Sequence, residues 1–413
     1  MADISIDLDK LIDDLEIVLQ KNRMLEQENS VLKNTLKLLR HKSEKFLKDL
    51  PVVKNKIVFV SYDGNGYGCN PKYIAEEILR RELPFDLVWL VNDLNTPMPE
   101  KIRKVPFNTI DACRELSSAK VIITNEMSAL NFEKKSGQYL IMTWHGCWKI
   151  KLVNLDLGDR VTPELVKRIN ESNAVTNLML AAYDDDLEDI RRAFDYKGEV
   201  LKCGLPRQDI FFKPQDDLAA KVKESFGLST ENKIVLYAPT FRDVSLKSIE
   251  IYRFDYEKLI NVLSEKFGGN WKLLLRLHPI LTKKGISAQI FQPSENIIDV
   301  TNYPDTQELV IASDMLITDY SSVTYDFMLS NKPTFILAKD FEEYNVYRGF
   351  YSNFFEMPFE INQTEDELFD CIKNFDVDDM KNKIKNYIAE INPYDDGHAS
   401  EKVVDKICSV MKE

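Results

Sequence analysis

The sequence predicts an α/β protein of two successive strand-and-helix units, with a coiled-coil helix ahead of them. Three observations carry this expectation. Residues 8–46 place apolar side chains at a seven-residue period; after Leu50-Pro51 short apolar runs alternate with amphipathic stretches; and the alternation breaks around Gly204–Asp209 before resuming at Lys233. The expected divisions are residues 1–50 for the coil, 51–210 and 211–390 for the two α/β units, and 391–413 for a closing helix with its preceding loop.

With 413 residues, 44% of them apolar, the chain has material for more than one core. Its net charge of −13 lacks the basic footprint of a nucleic-acid binder, so no nucleic-acid partner is expected. The six cysteines are scattered, with no Cys-x-x-Cys pair and no histidine at zinc-finger distance, which is the pattern of reduced thiols. Residues 1–7 are acidic rather than basic and then apolar, and no run approaches ~18 apolar residues, so a cytoplasmic location is expected.

Placing Leu8 at heptad position a puts Leu11, Val18, Leu25, Leu32, Leu39 and Phe46 at d, and Leu15, Asn22, Asn29, Leu36 and Ser43 at the later a positions. Six apolar d positions in succession favour a coiled coil over a helix packed on the body, because Asn22 and Asn29 suit a paired seam better than a globular core. A homo-oligomer through this helix is expected. Its charge is uneven: Asp3 to Glu16 carries six acids against Lys10, and Lys33 to Lys48 carries six bases against Glu44. The basic half is a candidate for peripheral contact with the inner face of a membrane, although a solvated face is the commoner meaning of such a run.

In the first unit, strands are expected at residues 56–60, 87–91, 121–124, 139–143, 178–182 and 200–203. The turn Gly64-Asn-Gly-Tyr-Gly68 departs from dinucleotide spacing and reads as a tight strand-to-helix turn, with Asn70 as cap and Pro71 opening a helix through Arg81. His145, beside Gly146, follows a buried strand at the end where open parallel sheets bind ligands. Taken alone, it suits a structural role as well as a catalytic one. In the second unit, strands are expected at 234–237, 271–277, 297–300, 315–318 and 334–337. Arg242, Arg276, His278, Asp319 and Ser321 all fall at or just after strand ends, where one crevice can gather them. Asp319 ends a buried run, and Ser321 and Ser322 occupy the cap and first turn of the helix that follows. Free backbone N–H groups, a helix dipole and hydroxyl donors make such a place a phosphate cradle, although a lone Ser-Ser is more often only a cap. The loop 392–400 interrupts the helical tail, with Gly397 permitting a sharp turn, and is expected to fold back over the crevice.

Together these stretches resemble the CDP-glycerol glycerophosphotransferases, which build or prime wall teichoic acid and related polyol-phosphate polymers in bacteria. The resemblance covers roughly Lys54 to Ile407. It rests on Asn70-Pro71-Lys72, Thr143-Trp-His-Gly146, Gly204-Leu-Pro-Arg207, Tyr237-Ala-Pro-Thr-Phe-Arg-Asp243, Arg276-Leu-His-Pro279, Ile317-Thr-Asp-Tyr-Ser-Ser322 and Asp396-Gly-His-Ala-Ser400, in the family's order. It implies two Rossmann-like domains facing a cleft, the GT-B architecture, with the acceptor held by the first and a CDP-linked donor by the second. The implied reaction moves a polyol phosphate from CDP-glycerol, or another CDP-polyol, to a hydroxyl of a lipid-linked, polyol-phosphate or glycan acceptor, with release of CMP. By the same resemblance His145 is the general base, Arg276, His278, Ser321, Ser322 and Ser400 hold the donor pyrophosphate, and Arg242 and Asp319 line the pocket. Histidine, with an ordinary pKa near ~6.5, suits such a proton transfer.

No carboxylate cluster of metal-binding character is evident, so neither a metal nor another cofactor is expected. After His145 the chain reads Cys147-Trp-Lys-Ile150 where relatives commonly continue Thr-Pro-Leu-Lys, a departure that bears on the acceptor. Two other readings stand beside this one. A GT-B glycosyltransferase using a nucleotide sugar would employ the same cleft, and a scaffold built on the coil would leave the cleft idle.

Overall fold

The computed structural model describes residues 47–127, 133–146, 150–242, 249–278, 281, 286–351 and 353–412. The heptads of residues 8–46 lie outside the described residues, as does the segment 147–149 that departs from the family pattern.

Two parallel sheets carry the described chain. The first contains β1 (Val53–Val60), β2 (Asp86–Val91), β3 (Ile102–Pro106), β4 (Ala119–Thr124), β5 (Tyr139–Met142), β6 (Leu178–Ala181) and β7 (Glu199–Lys202), in the order β3-β2-β1-β4-β5-β6-β7. The second contains β8 (Lys233–Tyr237), β9 (Trp271–Leu275), β10 (Ile297–Asp299), β11 (Met315–Thr318), β12 (Thr334–Leu337) and β13 (Ile361–Asn362), in the order β10-β9-β8-β11-β12-β13. Each sheet therefore reverses its strand order between its first and fourth strands, and a crevice opens there beyond their carboxyl ends.

The continuous apolar runs exist because both faces of each sheet are covered. Ile57, Phe59 and Trp89 face one core, and Val58, Val60 and Leu90 face the other. In the second sheet Val235 and Ile317 face one core, and Ile234 and Leu316 the opposite one. Two strands escape the sequence reading. β3 is an edge strand of alternating Ile, Arg, Lys, Val and Pro, and β13 is an edge strand of two residues. Neither is buried on both faces, so neither carries the long apolar run that reveals the others.

The first helix also differs from expectation. It spans Cys69–Arg80 with Gly68 as its N-cap, so Asn70 lies inside it, fully buried. Its amide donates to the Thr143 and Trp144 carbonyls at 3.4 and 2.9 Å. What looked like a cap is a tie from this helix to the turn that carries His145.

The last helix returns to the first sheet. Helix Ala399–Lys412 contributes Val403, Val404, Ile407 and Val410 to the core of the first sheet, each side chain adding roughly 1.5–3 kcal/mol through burial. The loop before it is pinned to the first half: Asp395 accepts from the Leu205 N–H at 2.8 Å, and the Tyr394 N–H donates to the Ala182 carbonyl at 2.7 Å. Among the described residues no helix is long and apolar enough to cross a membrane.

Burial pushes the Asp395 carboxyl up to about 7, helped by the nearby Asp209 and Asp326 and opposed by the Leu205 N–H and Arg207. Between the ordinary carboxylate value and about 7 the folded state holds a proton that the unfolded state has released, so stability falls as pH rises through this window. Asp395→Asn keeps an acceptor for Leu205 and removes the titration. Its melting temperature is expected to exceed that of the wild type by a few degrees at pH 8, with the gap narrowing toward pH 4, measured by thermal denaturation.

Candidate active site

His145 owes its position to a forced turn. Trp144 adopts φ 56°, a left-handed conformation that a bulky residue takes only at a cost, and it is held there by the Asn70 amide and by edge-on packing against Phe194 at 4.9 Å. The turn brings His145 Nδ1 to 2.8 Å from the Asn125 carbonyl at the end of β4. A carbonyl can only accept, so Nδ1 carries the proton and Nε2 keeps a free lone pair. Glu126 Oε1 lies 3.5 Å from Nδ1, ready to balance an imidazolium. The ring is about one-third exposed and tilts against the rings of Tyr62 and Trp144.

The two sheets repeat one device at their switch points. After β4, the Asn125 side chain accepts from the Tyr62 N–H beyond β1 at 2.8 Å. After β11, the Asp319 side chain accepts from the Thr240 N–H beyond β8, also at 2.8 Å. In each half this side chain ties the two loops that border the crevice.

The two crevices meet. A Cβ added to Gly146 would stand 3.0 Å from Ser322 Oγ, tighter than an ordinary contact, so the absence of a side chain lets the His145 turn lie close against the serine pair. Ser322 sits at the N-cap of helix Val323–Leu329, yet its hydroxyl makes no capping hydrogen bond. Ser321 Oγ accepts weakly from the Val323 N–H at 3.4 Å. Arg207 joins the halves: its guanidinium donates to the His145 carbonyl and pairs with Asp326, on the serine helix, at 3.1 Å. Lys72 reaches from the first half to Asp305 and Glu308, 2.6 Å from each.

The arginines divide by what holds them. Arg276 donates to the Val300 and Tyr303 carbonyls at 3.2 and 2.7 Å and has no carboxylate ion pair among the described residues. Burial lowers its pKa, opposed by the nearby Tyr62 and Asp305, as expected of a cation short of negative partners. Arg242 is the opposite case. Buried between the rings of Tyr320 and Tyr344, it pairs with both Asp340 oxygens at 2.7 and 2.9 Å and with Asp319 at 2.9 Å. Asp319 is equally committed, since its second oxygen takes the Thr240 and Tyr320 N–H groups.

His278 is exposed and packs against the Phe241 ring at 4.7 Å. Ser400 is buried. Its N–H donates to Asp209 at 2.7 Å and its hydroxyl points to the Pro206 carbonyl at 3.4 Å, which places it on the turn Pro206–Phe212. Tyr62, Asn125, Glu126, Arg207 and Asp326 belong to the site but escape residue-by-residue reading. Only Arg207 left a trace, as the last residue of Gly204-Leu-Pro-Arg207. Among the described residues no three His, Cys, Asp or Glu side chains stand together as a metal-ligand group.

The profile of the CDP-glycerol:poly(glycerophosphate) glycerophosphotransferases matches residues 44–409. The chain belongs to this family. Relatives within it include the teichoic acid poly(glycerol phosphate) polymerase of Staphylococcus epidermidis, 30% identical over 98% of this chain and 59% of that protein. The polymerase of the same description from Bacillus spizizenii is 27% identical over 87% of this chain and 93% of that protein. The chain thus spans 59% of the staphylococcal relative, and it spans 49% of the Bacillus subtilis one. Among solved structures, the wall teichoic acid polymerase TagF superposes with a TM-score of 0.79 at 28% identity, covering 96% of this chain and 98% of that one. A Staphylococcus aureus MnaA structure with UDP matches at a TM-score of 0.52 and 15% identity over 87% of this chain and 97% of that one, a likeness of fold alone.

Arg242→Met removes the partner of two buried carboxylates while nearly filling its volume. It is expected to destabilise the protein by roughly 3–5 kcal/mol, read as a lower urea midpoint, and Arg242→Lys is expected to recover only part because the bidentate fork is lost.

Proposed function

We propose that the chain transfers a polyol phosphate, glycerol phosphate foremost, from a CDP-activated donor to an acceptor hydroxyl with release of CMP, on a GT-B arrangement of the two halves. One observation carries the reading. The Asn125 carbonyl fixes His145 with its basic Nε2 free, and the adjoining Gly146 lies against Ser322, so a base from one half meets hydroxyl donors of the other. Membership of the family and the fold of TagF support the donor class.

In this mechanism Nε2 takes the acceptor hydroxyl proton as the oxygen attacks phosphorus in line with the departing CMP. Glu126 balances the imidazolium that results. Arg276, His278, Ser321 and Ser322 hold the diphosphate, where positioning and charge supply most of the rate. Arg242 and Asp319 act from behind, by fixing the loop beyond β8, and Ser400 acts through Asp209 on the turn that carries Arg207. These three are positioning residues. The acceptor is a polyol phosphate or glycan carried on lipid, and the basic stretch from Lys33 to Lys48 is the element that brings the chain to an anionic surface.

CMP release from CDP-glycerol, run beside CDP-ribitol with a crude lipid or polyol-phosphate acceptor, tests the reading. The wild type is expected to release CMP, and His145→Ala to lose roughly 10²–10⁴-fold in rate. Equal activity in His145→Ala removes the base assignment. Silence with both donors, while nucleotide sugars are turned over, replaces the reaction with glycosyl transfer. For the membrane role, sedimentation with anionic liposomes is expected at low salt and release at high salt; no binding at either rejects the basic stretch as the anchor.

A further inference from the structure

A second meeting of the two halves lies beyond the serine pair. The segment Ile150 to Leu152 crosses to the second half, where Lys151 forms an isolated antiparallel bridge with Phe350. The Leu152 N–H donates to the Gly349 carbonyl at 3.0 Å, and the Tyr351 N–H donates to the Ile150 carbonyl at 2.9 Å. Gly349 has φ 75°, and a Cβ there would come within 2.8 Å of Leu152, so the contact demands glycine. Lys151, from the first half, is thereby fixed near Arg348, the residue that ends helix Phe341–Tyr347 of the second.

The charges at this seam do not balance. Arg242, Arg348 and Lys151 are the cations, and Asp319 and Asp340 are the carboxylates beside them. Both carboxylates are already committed to Arg242. Among the described residues the Lys151 amine has no hydrogen-bond or ion-pair partner, and Arg348 Nε is buried without one. Burial, then the neighbouring Arg348, push the Lys151 amine down to about 8, with Asp319 opposing and Arg242 adding to the shift. Lys72 shows the contrast: buried, it has Asp305, Glu76 and Glu308 around it, and its pKa moves up.

We propose that Lys151 and Arg348 form a two-sided anion subsite, one cation from each half, that binds a phosphate oxygen of a substrate. Cations held in place without counter-charges are costly unless a ligand supplies the charge, and a phosphate oxygen accepts from both donors at once. The subsite adjoins Asp319, one residue before Tyr320-Ser321, so it extends the serine pocket along the seam. Two substrates of the proposed reaction carry such oxygens, the donor diphosphate and the phosphodiesters of a polyol-phosphate acceptor. The inference rests on the phosphotransfer reading only for this choice of ligand. Because each half contributes one cation, occupancy also holds the halves together while the substrate is bound.

Competitive acylation of the full chain with limiting acetic anhydride at pH 8, read lysine by lysine by mass spectrometry, tests the subsite without any turnover. An amine near 8 is about half unprotonated at that pH against under roughly 1% for an ordinary lysine, so Lys151 is expected to label about tenfold or more faster than exposed Lys54. Inorganic pyrophosphate, CDP-glycerol and a glycerol phosphate oligomer are then added separately. Any of the three is expected to slow labelling of Lys151 and not of Lys54; protection by CDP-glycerol alone assigns the subsite to the donor, and protection by the oligomer alone assigns it to the acceptor. Arg348→Gln is expected to raise the ligand concentration needed for protection by roughly ten- to a hundredfold. Labelling of Lys151 no faster than Lys54, no protection by any of the three, or protection unchanged in Arg348→Gln overturns the proposal. Pyrophosphate protection is independent of catalysis, so a failed CMP assay leaves this result standing.

Discussion

The arrangement of the site depends on the buried guanidinium of Arg207. It donates to the backbone carbonyl of His145 on one side and pairs with Asp326 on the other, so the His145 turn of the first half and the serine helix of the second share one rigid planar group. Arginine suits this task because its donors form a fixed fork and its charge persists under burial. The backbone N–H of the same residue donates to Asn70, whose amide in turn holds the Trp144 carbonyl. One arginine and one asparagine thus link the first helix, the His145 turn, the second half and the turn Pro206–Phe212. Each of these links has a backbone group or a buried carboxylate at one end.

The duplicated switch point gives the two halves different uses of the same plan. In the first, the residue after β4 is a neutral amide, and its backbone carbonyl orients an imidazole. In the second, the corresponding residue is a carboxylate, and it must be neutralised, which Arg242 does from a box of two tyrosine rings. Arg276, by contrast, is held by the Val300 and Tyr303 carbonyls and has no carboxylate ion pair among the described residues. One switch point is thus neutral and the other carries a paired charge, and the difference traces to Asn125 against Asp319.

Much of the fold was legible because it is written in short-range patterns. Strands covered on both faces read as apolar runs, and eleven of the thirteen were found within three residues of their bounds. β3 and β13 were missed because edge strands lack that burial, and Asn70 was misread as a cap because a helix start and a buried tie use the same residue type. The site was legible only as a set of residues at strand ends. That Arg242 is consumed by Asp340, 98 positions away, and that Arg276 has no such partner, are facts of long-range pairing that no local pattern encodes. His145 was found from its place after a strand, whereas its tautomer depends on a carbonyl twenty positions earlier. Resemblance to a family located the residues; the pairings show which of them are already committed to carboxylates and which are held by carbonyls alone among the described residues.

The return of the last helix to the first sheet has a mechanical consequence. The chain leaves the first half after Phe212 and comes back after Ile391, so two covalent connections, not one, join the bodies. Two connections leave the bodies fewer independent ways to separate than a single linker would, and the bridge of Lys151 to Phe350 adds a non-covalent tie between them.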